Sequence, residues 1–345
     1  MSARAFITGL AGVAITSEER AFVRESRPWG LILFKRNIDD PDQVRRLVGD
    51  FRDAVATDAP VLVDQEGGRV QRLGPPHWPA YPAGAVYRRL YESDHETGLA
   101  AARLGARLIA SDLSDLGIDV DCLPLADVPV AGADGVIGDR AYGDTPDQVA
   151  ALAGAIAAGL LDGGVLPVLK HLPGHGRATV DSHQRLPVVV ADRATLEATD
   201  FAAFRPLAGL PLGMTAHVVF SAYDPLAPAT TSVTMIRQVI RDSIGFRGLL
   251  MSDDISMGAL SGSLAERARA SLAAGCDVVL HCNGDLAEMR EVAAVTPMLS
   301  GEPLARAEDA LAQRHAPAVC DLPQARTAFA ALLKGERPAS ARIAS

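Results

Sequence analysis

The chemistry-bearing residues of this chain are concentrated between Val165 and His183, in the run VLPVLKHLPGHGRATVDSH. Apolar residues stop abruptly there. Lys170, His171, His175, Asp181 and His183 follow within about fourteen positions, and three of the chain's eight histidines are among them. Pro173, Gly174 and Gly176 exclude a helix, and so many polar groups cannot all face a core. The stretch reads as an active-site loop entered from a short buried strand. Asp181 and His183 lie two positions apart, so in an extended loop they share a face and the carboxylate can accept a hydrogen bond from the imidazole. Such a pair can lend and recover a proton near neutral pH. A plain loop-stabilising contact would use the same spacing.

Asp253 is the second centre of interest, in GLLMSDDISM. An apolar run ending in Ser-Asp-Asp can aim one carboxylate at a ligand and leave the other to orient it. Asp253 suits a carboxylate nucleophile that attacks an electrophilic carbon and leaves as an ester. Asp254 could equally cap the next helix. In VLVDQEGGRVQR, Asp64 could accept from sugar hydroxyls and Arg72 donate to them, across a turn made by Gly67 and Gly68. A structural ion pair fits that spacing as well. Arg140, in the Gly-flanked GVIGDRAYG, reads the same way. His171, His175, Asp181 and His183 could alternatively ligate a metal in a barrel hydrolase.

These residues need a scaffold, and the pattern supplies one. Eight β-rich runs, 5–8, 30–34, 61–63, 119–122, 166–169, 213–215, 248–251 and 277–280, alternate with amphipathic helical stretches at 17–26, 41–55, 96–115, 145–161, 193–207, 233–243 and 264–274. Parallel strands joined by helical crossovers follow. Eight units fit a closed (β/α)₈ barrel, a TIM-type α/β fold, better than an open sheet. Gly9-Leu10-Ala11-Gly12 does not match the Gly-rich phosphate turn that a doubly wound sheet would need. Capable side chains follow most of the strands: Arg36 and Asn37, Asp64 to Glu66, Lys170 and His171, His217, Asp253 and Asp254, then His281 and Asn283. Barrel enzymes gather reacting groups on that C-terminal rim. Further helices are expected at 285–294, 303–311 and 323–333. No linker divides the chain, so residues 1–337 are expected to form one catalytic domain, followed by a disordered, Ala/Ser-rich tail at 338–345.

Composition narrows the partners. A net charge of −9 without a basic patch argues against nucleic acid and anionic membrane surfaces. Four cysteines without a CxxC pair suit reduced thiols in the cytoplasm. The apolar N-terminal segment is interrupted by Thr8, Gly9 and Gly12, and Thr16 with Glu19 reads as a helix capping box rather than an export signal. No apolar run approaches the roughly 20 residues of a membrane span. A monomer is favoured, and no cofactor or metal is expected.

Together, VDQEGGRVQR, Gly138-Asp139-Arg140, KHLPGHG, Asp181-Ser182-His183 and SDDISM resemble the glycoside hydrolase family 3 β-N-acetylglucosaminidases of the bacterial peptidoglycan-recycling type. Family members usually carry Phe where this chain has Leu172, an apolar exchange. The resemblance runs from about Gly30 to the last strand. It implies that Asp253 is the nucleophile and His183 the acid/base held by Asp181, with Asp64, Arg72, Arg140, Lys170 and His171 binding the sugar. It leaves His175 as a loop organiser and His217 as a member of the pocket. The implied reaction is retaining removal of terminal N-acetylglucosamine from muropeptides. A His in place of a second carboxylate repels anions less, which keeps phosphorolysis with a phosphate acceptor as an alternative. A non-catalytic sugar-binding barrel would have no use for Asp253 together with His183.

Overall fold

The structure, a computed structural model, describes residues 3–336. Eight parallel strands close into a barrel: β1 (Arg4–Thr8), β2 (Pro28–Leu33), β3 (Val61–Val63), β4 (Val120–Asp121), β5 (Leu166–Leu172), β6 (Leu212–Thr215), β7 (Leu249–Asp254) and β8 (Val278–His281). Each strand pairs with its sequence neighbours, and β8 returns to β1 through Phe6 opposite Val279 and Ile7 opposite Leu280. This is the α/β barrel that the strand–helix alternation leads one to expect. Residues 337–345, which include the tail at 338–345, lie outside the described residues.

Pleat alternation sorts the side chains into two cores. Ala5 and Ile7, Leu62, Val120 and Cys122, Leu166 and Val168, Leu212 and Met214, Leu249 and Met251, and Val278 and Leu280 form one cluster inside the barrel. Phe6, Leu31, Leu33, Val61, Val63, Leu169, Leu250 and Val279 pack outward with the helices. Each such side chain contributes about 1.5–3 kcal/mol when buried. A one-residue slip would exchange the two sets, so the register is tightly specified. Ala307, Ala310 and Leu311 of the helix α9 (Gly301–Leu311) belong to the inner cluster and close the N-terminal end of the barrel.

The surrounding helices start where local chemistry says they should. Thr16 and Glu19 form the expected capping box on α1 (Ser17–Ser26), and Asp40 caps α2 (Pro41–Val55). Thr145 caps α5 (Pro146–Asp162), and Ser263 with Glu266 caps α7 (Leu264–Ala274). The helix expected at 193–207 is instead split. Its first part, α6 (Arg193–Ala198), ends where the Thr199 hydroxyl lies 2.7 Å from both the Thr195 carbonyl and the Asp200 carboxylate, and a 3₁₀ turn occupies Arg205–Leu207. The next stretch winds more widely than an α-helix, as a π-helix over Met235–Ser243. The sequence gives little notice of α3 (Gly84–Ser93), whose N-cap is Ala83 without a side-chain hydrogen bond. It precedes α4 (His95–Ser114) in the long β3–β4 connection.

The N-terminal end of the barrel is held by buried charge. Asp277, just before β8, accepts from the Leu250 N–H at 2.8 Å, from Arg241 at 2.9 Å and from Arg306 at 2.8 Å. A group in this position serves stability rather than chemistry, because reacting groups belong to the opposite rim. Asp277→Ala strips the buried Arg241 of its counter-charge, leaves Arg306 with Glu302 alone, and should cost about 3–5 kcal/mol. Thermal unfolding should show this as a lower Tm while kcat/KM of the folded fraction stays unchanged; an altered KM at unaltered Tm would contradict it.

Candidate active site

The same alternation that fills the barrel delivers polar groups to its C-terminal rim. Two residues beyond the inward-facing Leu62, Val168 and Met251 come Asp64, Lys170 and Asp253. All three line one cavity of about 390 Å³, together with Glu66, Arg72, Arg140, His171, Asp181 and His183. Asp64, Arg72, Arg140, Lys170, His171, Asp181, His183 and Asp253 are therefore brought to a single hollow, whose floor includes Ile32, Met214 and Leu280. Consecutive residues on a strand ordinarily point opposite ways. His171 beside Lys170, and Asp254 beside Asp253, reach the same cavity because register shifts fall between Leu169 and Leu172 and between Met251 and Asp254.

On one side of the cavity stands a network of buried charges. Lys170, only 3% exposed at its side chain, lies 3.0 Å from Asp64 and 2.7 Å from Glu66. Arg72 donates to the other oxygen of Asp64 at 2.8 Å, and Arg140 grips Glu66 with two bonds of 2.8 Å. The ion pair expected as a structural alternative for Asp64 and Arg72 thus exists, and both partners face the cavity. Burial pushes Asp64 and Glu66 up, but the neighbouring cations outweigh it and hold both carboxyls below their usual range. Burial opposes the charge on Lys170 as well, and its two carboxylates more than compensate. Arg36 and Arg72 both lie over the Phe34 ring, 5.1 and 5.0 Å from its centroid. The hairpin Gln65–Gly67 with Val70–Gln71, unforeseen from the sequence, fixes this wall. Gln65 accepts from the Arg72 and Leu73 N–H groups and donates to the Leu73 carbonyl.

Asp253 closes another side. Its Oδ1 accepts from the Asp254 N–H at 2.8 Å. Burial raises Asp253, but His217, His171 and that N–H together keep it below the usual carboxylate range, hence ionised at neutral pH. His217 is not itself a wall of the cavity. It is buried one layer below, with Nδ1 against Thr230 at 2.7 Å and Nε2 3.0 Å from the Asp254 carbonyl. Asp254 is not a helix cap either. It accepts from the Ser256 N–H and hydroxyl and from the Cys282 N–H, tying the end of β7 to the end of β8. Ser263, nine residues on, does the capping.

The Asp181–His183 pair forms with Nδ1 2.8 Å from Oδ1. Its backbone is a turn rather than an extended loop. Asp181 Oδ1 also accepts from the His183 N–H at 2.9 Å, and the Asp181 carbonyl from Gln184 and Arg185. An Asx-type bond thus bends the chain and orients the imidazole at once. The His183 side chain is 65% exposed. His175 and Ser182 are buried behind it, 2.9 Å apart. Gly176 permits the loop's close approach to the barrel, since a Cβ there would lie 2.0 Å from the Val128 carbonyl oxygen. His171, His175 and His183 each bond a different partner, and among the described residues no three His, Cys, Asp or Glu side chains are arranged to hold a metal ion.

Two contributors have no role in the sequence reading. Glu66 completes the cage around Lys170 and Arg140. Asp127, fully buried in the apolar run CLPLADVPV, takes the His171 Nδ1 at 2.7 Å and the His175 N–H at 2.7 Å. A lone carboxylate in so apolar a run must find buried donors, and that was the available signal. The charge network yields a pH-dependent expectation. Asp64 and Glu66 have folded-state pKa values below their unfolded ones, so their stabilisation is present above the unfolded values and fades as pH falls through the folded ones. Lys170→Met leaves two carboxylates facing each other. The Tm deficit against wild type should be greatest near pH 7 and shrink as the pH drops below about 4; a deficit that is flat with pH would show that Lys170 stabilises by packing alone.

The chain is similar to known proteins in both sequence and fold. Residues 6–314 match the family model described as the glycosyl hydrolase family 3 N-terminal domain. The chain is 42% identical to a β-hexosaminidase of Alkalilimnicola ehrlichii over 279 residues, covering 80% of this chain and 79% of the relative. With a β-hexosaminidase of Thioalkalivibrio sulfidiphilus it shares 38% identity over 307 residues, 88% of this chain and 86% of the relative. NagZ from Neisseria gonorrhoeae, solved in complex with N-trifluoroacetyl-D-glucosamine, superposes with a TM-score of 0.87 at 31% identity, covering 96% of this chain and 99% of that one. The chain is a glycoside hydrolase and belongs to glycosyl hydrolase family 3.

Proposed function

We propose that this enzyme is a retaining exo-β-N-acetylglucosaminidase that removes terminal non-reducing N-acetylglucosamine from muropeptides through a glycosyl ester on Asp253. The observation that carries the reading is an ionised Asp253 sharing one cavity with an exposed Asp181–His183 pair. The cavity's charges also balance. Asp64, Glu66, Asp181, Asp253 and Asp254 face Arg36, Arg69, Arg72, Arg140 and Lys170, five of each sign, which suits a neutral, hydroxyl-rich ligand. The β-hexosaminidase relatives and the N-acylglucosamine bound to the neisserial protein support the choice of sugar.

In the proposed cycle Asp64, Arg72, Arg140, Lys170 and His171 hold the sugar. Asp253 attacks the anomeric carbon while His183 Nε2 gives its proton to the departing glycosidic oxygen. Nδ1 cannot serve, because it is committed to Asp181. The imidazole, now neutral, takes a proton from water, which attacks the same carbon and frees Asp253. Two inversions retain the configuration. Most retaining glycosidases use two carboxylates for these roles; here an Asp–His pair replaces the second. The substrate's acetamido oxygen need not take part, because Asp253 supplies the nucleophile. The setting proposed is a cytoplasmic monomer of one catalytic domain. The four unpaired cysteines, three of them buried, support a reducing compartment.

Asp253→Asn should lower kcat by about a thousandfold or more. A fluorinated N-acetylglucosaminide that stalls the ester should label the peptide spanning 248–257 in the wild type. Label found on any other peptide means a different nucleophile. In kcat/KM, which reports ester formation alone, His183→Ala should slow poor, natural leaving groups by about 10²–10⁴-fold while sparing activated aryl glycosides, whose departure needs no proton. Equal losses on both substrates would remove His183 from the acid role.

A further inference from the structure

The proposed mechanism assigns no part to His175 and Ser182, yet both are buried directly behind the Asp181–His183 pair, at 3% and 2% exposure. Ser182 lies between the two members of the pair in sequence. Its Oγ is 2.9 Å from His175 Nε2, and its carbonyl accepts from the Ala259 N–H at 3.1 Å. The His183 carbonyl likewise accepts from the Gly258 N–H at 3.1 Å. The turn carrying the acid/base is therefore fastened on one side to the segment that follows Asp253. On the other side the fastening, among the described residues, is the His175–Ser182 bond.

His175 is itself fixed. Its N–H donates to Asp127 Oδ1 at 2.7 Å, and Asp127 Oδ2 holds His171 Nδ1, also at 2.7 Å. The His171 and His175 rings meet edge to face at 5.7 Å. His175 Nδ1 is buried without a partner, so the hydrogen bond to Ser182 is the one polar contact of that ring among the described residues. Leaving half of a buried imidazole unsatisfied is costly and has no benefit for packing alone. Burial, with His171 close by, depresses His175 to about 4, so the ring is neutral over the working range and can keep this bond throughout.

We infer that His175 and Ser182 are positioning residues for the acid/base. Through the bond between them they set where the His183 imidazole stands relative to Asp253, and Asp127 makes the sugar-facing His171 and this loop share one carboxylate. The inference rests on the functional reading above. It adds that a group outside the cavity governs how well the leaving oxygen is protonated.

The test is the leaving-group dependence of kcat/KM, which reports only the step that forms the ester, over N-acetylglucosaminides from 2,4-dinitrophenyl to methyl. Ser182→Ala removes only a hydroxyl, and His175→Gln keeps a polar group on a different stem; Tm identifies a variant that has lost its fold, and the other then decides. The expected result is a steeper slope, with the dinitrophenyl glycoside within about threefold of wild type and the methyl glycoside down by about thirtyfold or more, a part of what a general acid provides. Ser182→Thr, which restores the hydroxyl, should bring the slope back toward wild type. An active wild type with an unchanged slope in the variants, whether rates hold or fall together, overturns this inference alone. A wild type that cleaves none of the series overturns the functional reading and this inference with it.

Discussion

Everything at the rim depends on one buried ammonium. Lys170 is shut away from water between Asp64 and Glu66, and each of those carboxylates has its own arginine, Arg72 and Arg140. Burying a single charge would be prohibitive, and a lone pair of charges barely breaks even. Two carboxylates against three cations form a closed arrangement in which no member can be removed without stranding another. The network joins β3, its hairpin, the 138–140 turn and β5, segments far apart in sequence. A sugar that meets this wall meets donors and acceptors already fixed in place, so little ordering is left to be done on binding.

The arrangement was legible in the sequence to the extent that it follows from strand period. Leu62 then Asp64, Val168 then Lys170, and Met251 then Asp253 are the same event three times: an inward column that runs out of apolar residues at the rim. Parity alone therefore points these three side chains into the cavity once the strands are recognised. The strands in turn were legible because a barrel interior demands short apolar runs, and the helices because their apolar residues recur at helical spacing, with the Thr16–Glu19 capping box spelled out locally.

What could not be read depends on contacts that no local pattern encodes. His171 was legible through its motif but not through strand parity, which it and Asp254 both break; the register shifts of β5 and β7 carry them to the site. Asp127 sits in a run that looks like core, and its partners lie 44 and 48 residues away. His217 follows β6 in the manner of a rim residue, yet Thr230 and the Asp254 carbonyl hold it in the layer below. The Asp181–His183 contact was anticipated for the wrong backbone, since i and i+2 also meet when the carboxylate folds the chain into a turn. The helix Gly84–Ser93 starts on Ala83, which offers no cap to read.

Two acidic residues of the site owe their different characters to their surroundings. Asp253 lies at the end of β7, anchored by the rigid strand and kept ionised by His217, His171 and a backbone N–H, although burial alone would neutralise it. Asp181 is on a loop, committed to one imidazole and one N–H. In the cycle proposed for this site His183 is the acid/base and Asp253 the nucleophile, which must meet the anomeric carbon at a fixed angle, and that favours a strand. An acid/base must serve first a departing oxygen and then an arriving water, and the aglycone has to leave past it. An imidazole at the open edge, 65% exposed but pinned through Nδ1, meets both demands: one nitrogen is spent on orientation and the other stays free for the proton.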